Sequence, residues 1–226
     1  MGVSYATSTL VRTGAERLTL IRRTYALVLA GLLVTMLGVV VAGTQPQILA
    51  VVAAHPFLTF FVSLAPLFMA QRTARTFPAN VGFMFLYTFL VGLWLAPLLL
   101  VVERSQPGIL GQTALLSGTA FGGLTMYALV SRRDFSAWGG FFLVGLLVVL
   151  VTGLLNAFLL HSVGAGLWIA AGTVLVFSGL LVFDTWRIRN VYGPDDYIPA
   201  AINIYLDFIN LFLAVLRLLG GGNRNR

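Results

Sequence analysis

The chain is dominated by apolar runs about 20 residues long, the length a helix needs to cross the roughly 30 Å hydrocarbon core of a bilayer. They fall at residues 25–43, 48–70, 81–102, 109–130, 138–160 and 167–185. A seventh, 198–219, carries Asp207 and Arg217. A chain that is 59% hydrophobic and only 9% charged cannot clothe a water-facing surface, since soluble domains carry about a quarter charged residues. The first run exceeds the core of a signal peptide, about 7–15 residues, and is read as a retained anchor. The expected division is a cytoplasmic segment at 1–24, a seven-helix transmembrane domain at 25–219 and a tail at 220–226. The fold class is all-α integral membrane.

All fourteen basic residues are arginine, and the net charge is +7. These arginines lie between the apolar runs, so the basicity points to topology and not to nucleic acid. Arg12, Arg17, Arg22 and Arg23 precede the first run, and Arg72 and Arg75 follow the second. Arg132 and Arg133 follow the fourth, Arg187 and Arg189 the sixth. With alternate crossings these ten share one side, against Arg104 alone on the other. The positive-inside rule then places the N-terminus in the cytoplasm. The side of the C-terminus stays open: a seventh crossing puts Arg224 and Arg226 outside, and a re-entrant last helix keeps them inside.

The chain has no cysteine, which removes disulfides and thiol chemistry, and only His55 and His161 as histidines. No Ser/His/Asp set, H-E-x-x-H or phosphate loop is present, so no enzyme and no cofactor is expected. Gly118 and Gly122 form a small-xxx-small pair in the fourth run, read as ordinary helix packing.

Of seven acidic residues, Glu16, Glu103, Asp134, Asp195 and Asp196 sit at run boundaries, where charge pairing and helix capping account for them. Asp184 and Asp207 lie inside apolar runs. An ionised Asp at a helix centre costs about 2.5–3.5 kcal/mol on insertion scales, so each needs a partner, a cavity or a proton. In the last run, Asn203, Asp207, Asn210 and Arg217 stand at offsets of 0, 4, 7 and 14, which is one narrow stripe on a helix. Such a stripe turns toward protein or water, so this helix belongs at the centre of the bundle. A short connection makes the sixth and seventh runs antiparallel neighbours and lets Asp184 meet Asp207. Two touching carboxylates share one proton and titrate as a unit.

The stretch from Ile204 to Leu213 (IYLDFINLFL), with Leu216 to Gly220 (LRLLG), resembles the C-terminal signature of the Bax inhibitor family. Phe183-Asp184-Thr185, Arg187-Ile188, the Asp196 to Pro199 segment and Tyr87-Thr88-Phe89 fit the same pattern. The resemblance implies two three-helix layers around a central C-terminal helix, and a pH-sensitive calcium leak whose paired aspartates match Asp184 and Asp207. It also implies an arginine at the end of the second span, Arg72 or Arg75, linked to that pair. Calcium takes six to eight oxygens, so the pair suits transient contact with calcium and not a high-affinity metal site. The expected setting is a bacterial inner membrane. The alternative function, also drawn from relatives, is a membrane-embedded regulator that binds a membrane protease or another membrane complex.

Overall fold

A computed structural model describes residues 14–222. Arg12, Arg224, Arg226 and the end of the expected tail lie outside the described residues. Eight α-helices follow in order: α1 (Gly14–Thr44), α2 (Pro46–Ala54), α3 (Pro56–Arg72), α4 (Ala79–Ser105), α5 (Ile109–Val130), α6 (Trp138–Leu155), α7 (Val163–Asn190) and α8 (Tyr197–Gly222). A π-helical turn, Asn156–Leu160, ends α6. Six helices are long and apolar enough to span a membrane, and a seventh span results if α2 and α3 count as one. The protein is thus an all-α integral membrane protein.

The second span differs from expectation. Residues 48–70 do not form one helix: α2 and α3 meet at a 100° bend. Pro56 explains it. A proline offers no N–H to the preceding turn and drives the residue before it out of the helical region, and His55 accordingly sits at φ −128°, ψ 58°. With nine residues, α2 is roughly 13 Å long and too short to cross by itself. The first helix differs too. It begins at Gly14, well before residue 25, so the arginine-rich segment after it is helical.

The helices form two groups of three. In one, α4 packs against α1 and α3; in the other, α7 packs against α5 and α6. Between them lies α8, which contacts α1, α3 and α4 on one side and α5 and α7 on the other. Ile198, Ile202, Ile204, Tyr205 and Leu211 of α8 are completely buried, as a central helix requires. Its Tyr205 hydroxyl meets Thr35 Oγ1 of α1 at 2.7 Å. At the other extreme, α6 has no buried residue.

Close packing of α1 on α4 depends on Gly38 and Gly92. A Cβ on Gly92 would collide with the Thr35 carbonyl oxygen, and one on Gly38 with that of Phe89. Gly118 and Gly122, expected to pack a helix, do not: a Cβ at either meets nothing within 4 Å. Small residues permit close approach, but the pattern alone does not say which face meets a neighbour.

Side-chain bonds identify the two ends of the bundle. At one, Arg23 lies 5.9 Å over the Tyr197 ring and Asn80 Nδ2 donates to the Tyr197 hydroxyl at 3.0 Å. Here Arg189 also donates to the carbonyls of Leu129 and Ser131, both at 2.8 Å, closing the end of α5. At the other, Glu103 accepts the Gly108 and Leu110 N–H groups at 2.8 and 3.2 Å, and Gln106 Nε2 donates to the Gly220 carbonyl at 3.0 Å. Hence α8 runs the full depth and ends on the face opposite the start of α1, so the re-entrant alternative does not describe it. Among the described residues, Arg17, Arg22, Arg23, Arg72, Arg75, Arg132, Arg133, Arg187 and Arg189 gather at the first end, and Arg104 and Arg217 at the second.

Candidate functional site

Asp184 on α7 and Asp207 on α8 come together, as the short connection between their helices requires. Both are enclosed, at 7% and 5% exposure. Their carboxyl groups are neighbours, close enough to influence each other. An ionised carboxylate has no donor, so a hydrogen bond between two carboxyl groups requires a proton on one of them. Among the described residues, Asp207 Oδ2 receives no hydrogen bond from an N–H or hydroxyl group.

The cation beside the pair is not the one expected. Arg187, one turn beyond Asp184 on α7, donates from Nη1 to Asp184 Oδ1 at 2.8 Å. Its guanidinium also lies 4.7 Å over the ring of Tyr192 and 5.6 Å over that of Phe183. Arg72 and Arg75 stay exposed. Arg75 reaches only Asp196, at 3.5 Å with its own side chain 78% exposed, a geometry that contributes little. The three-residue spacing of Asp184 and Arg187 is a standard helical pair and was the available signal.

A shell of hydroxyls and amides surrounds this ion pair. Tyr25 of α1 meets Thr185 Oγ1 at 2.8 Å, next in sequence to Asp184. Asn203 of α8 donates from Nδ2 to the Tyr192 hydroxyl at 2.8 Å. Tyr192 lies in the α7–α8 connection; burial pushes its phenol up and Arg187 opposes that, so the hydroxyl keeps its proton. Asp184, Arg187, Tyr192, Asn203 and Asp207 therefore form one cluster at the arginine-rich end.

The polar stripe of α8 divides at this point. Asn203 and Asp207 belong to the cluster. Asn210 turns its Nδ2 back to the Leu206 carbonyl at 2.8 Å. It lines instead a cavity of about 890 Å³ shared with Arg217, between α4, α7 and α8 at the opposite end. Leu98, Val102, Leu167 and Leu213 make its wall largely apolar. The inner end of this cavity, at Asn210, is one helical turn from Asp207. At about 1.5 Å per residue, that is roughly 4.5 Å along α8.

A family model described as "Inhibitor of apoptosis-promoting Bax1" matches residues 17–225. The chain is 33% identical over 207 residues to Bax inhibitor 1 of Schizosaccharomyces pombe, covering 90% of this chain and 77% of that protein. It is 36% identical over 176 residues to an uncharacterized membrane protein of Vibrio cholerae, covering 75% of this chain and 78% of the other. A Golgi anti-apoptotic protein of vaccinia virus is 33% identical over 166 residues, 74% of this chain and 68% of the viral one.

Proposed function

The chain belongs to the Bax inhibitor family, and from that premise we propose that it is a pH-sensitive passive leak for cations, calcium foremost, in a bacterial inner membrane. Its N-terminus and arginine-rich end face the cytoplasm. The observation that carries the reading is the contact of two enclosed carboxyl groups on different helices, Asp184 and Asp207. No catalytic residue is assigned.

With one proton shared, a charge-assisted hydrogen bond ties α7 to α8 and the cytoplasmic side is shut. When that proton leaves, two anions face each other. At about 4 Å and an effective dielectric near 20 their repulsion is roughly 4 kcal/mol, less whatever Arg187 offsets. Moving a population from 1:99 to 99:1 takes about 5.5 kcal/mol, so the pair produces a partial switch. Acid closes the leak and alkali opens it. The cavity provides the other half of the path, bringing the opposite face within one turn of Asp207. Calcium meets the carboxylates in passing, because two acids beside a bound arginine fall far short of six to eight oxygens.

The test is calcium flux in proteoliposomes from about pH 5 to about pH 8, in wild type and Asp207→Asn. Flux that rises with pH and loses that dependence in the variant supports the leak; flux no greater than in empty liposomes at every pH removes it. For orientation, single cysteines near Arg75 and Arg132 should resist an impermeant thiol reagent in intact cells, and labelling of both reverses the assignment. A second reading, a regulator that binds a membrane protease or another membrane complex, draws on α6, which has no buried residue and so a whole face free for a partner. It gains if no flux is seen and a membrane protein co-purifies through α6.

A further inference from the structure

The cavity at the end away from the aspartate pair is lined by an exposed cation. Arg217 lines its wall, and among the described residues no acidic side chain pairs with it. Glu103, the acid at this end, is engaged by the Gly108 and Leu110 N–H groups. The Arg217 guanidinium lies over the start of α7 at Gly166, where a Cβ would stand 2.7 Å from its Nη2. That same point is 3.4 Å from Asn156 Nδ2. Asn156 is only 5% exposed, and its Oδ1 accepts the Ser162 N–H at 3.1 Å. Its Nδ2 has no acceptor among the described residues. The first turn of α7 adds the partial positive charge of a helix N-terminus.

A guanidinium and a buried amide thus converge with donors to spare, beside a helix start whose Ala165 N–H is already capped by Ser162 Oγ at 3.2 Å. Beside them the cavity wall is hydrocarbon, from Leu98 and Val102 on α4 and Leu167 on α7. Among the described residues no packed interface joins α4 to α7, so the cleft between them is floored by α8. Its volume of about 890 Å³ falls within the range of roughly 300–1,000 Å³ typical of ligand sites.

We propose that this is a binding site for an acidic lipid. Its oxyanion, phosphate or carboxylate, is held by Arg217 and Asn156, and its acyl chain lies in the cleft between α4 and α7. Arginine suits both oxyanions because its planar fork of donors matches two oxygens at once. A small inorganic anion satisfies the donors but leaves the apolar wall uncovered; a neutral lipid does the reverse. Gly166 makes the site possible, since any side chain there displaces the guanidinium from the helix. The inference does not rest on the leak, since none of these groups touches the aspartate pair, but a lipid seated here occupies the cavity assigned above to the ion path.

The experiment uses the purified full chain in phosphatidylcholine nanodiscs, labelled with photoreactive phosphatidate and photoreactive palmitate, with the crosslinks mapped by mass spectrometry. The expected result is labelling of α4 and α7 in the cleft. Unlabelled phosphatidate or palmitate should compete, and whichever does so at lower concentration identifies the oxyanion. Phosphatidylcholine and inorganic phosphate should not. Arg217→Gln and Asn156→Asp should each weaken labelling by about tenfold or more, as loss of a charge-assisted donor implies. Arg217→Lys should weaken it less. Asn156→Asp keeps the acceptor for Ser162, and Gly166→Ala is a second route to displacing Arg217, so a variant that fails to fold does not end the test. Equal labelling by a phosphatidylcholine probe, or labelling unchanged in Arg217→Gln, overturns the site. Competition by inorganic phosphate as strong as by lipid overturns the lipid as its ligand.

Discussion

The two ends of α8 carry polar residues from one stripe, yet they are put to opposite uses. At the arginine-rich end, Asn203 and Asp207 find partners on α7 and in the α7–α8 connection, within a few residues of each other. At the far end, Asn210 and Arg217 line a cavity and, among the described residues, bond to no neighbouring helix. The first arrangement is closed by partners within the protein; the second opens onto a cavity. A stripe on a transmembrane helix marks the face that avoids lipid, and whether protein or a ligand covers that face is decided by the neighbours.

The largest expected effect tests the closed end. Arg187→Ala removes the cation from Asp184 and leaves a largely enclosed carboxyl group unpaired. A fully buried pair broken this way loses about 3–5 kcal/mol. With the Arg187 side chain 32% exposed, screening lowers the expected loss to about 2 kcal/mol. Arg217→Ala, at the open end, should cost under about 0.5 kcal/mol. Thermal melts of both variants in the same detergent check the contrast, and equal losses would erase it.

The next effect concerns protons. A spin-label pair on α3 and α7 at the arginine-rich end should lengthen as pH rises and the shared proton leaves. In Asp184→Asn/Asp207→Asn that response should vanish, because neither amide titrates in this range. A pair placed at the far end, on α4 and α7, should report little pH dependence in either protein. A wild-type response retained by the double variant would remove the dyad from the mechanism.

A smaller difference separates the asparagines. Asn203→Leu breaks the bond to Tyr192 and should cost about 1 kcal/mol. Asn210→Leu loses only a bond to its own helix and adds apolar surface to the cavity, so its stability should stay within about 0.5 kcal/mol of wild type. If the leak runs through the cavity, Asn210→Leu should still lower flux, which separates function from stability. The smallest effect is Gly118→Ala, near zero in a melt because a Cβ there meets nothing. Gly92→Ala, against the Thr35 carbonyl, should by comparison be clearly destabilising.

Much of the fold was legible because a bilayer leaves few choices: apolar length gives the spans, and the cost of buried charge singles out Asp184 and Asp207. Their meeting follows from a connection of six residues between α7 and α8. The bend at Pro56 was also written in the sequence, but hydropathy averages over it, since α2 and α3 are both apolar. Arg187 is less legible, because an i,i+3 pair on one helix looks the same whether or not it adjoins a site. The cavity had no signal at all. It exists where α4 and α7 fail to touch, a property of neither helix alone.

The glycine contact between α1 and α4 has a kinematic consequence. Backbones that touch at Gly38 and Gly92 have no side-chain layer to shear, so these two helices travel as one body. Arg189 binds α5 to α7 in the same sense, through two carbonyls at once. A molecule so divided has its freedom at the seam, with α8 as the axle. The Tyr25–Thr185 hydroxyl pair crosses that seam directly between α1 and α7, beside the two aspartates. Any rotation of one body against the other therefore strains this hydroxyl pair and the Tyr25–Phe121 ring contact beside it.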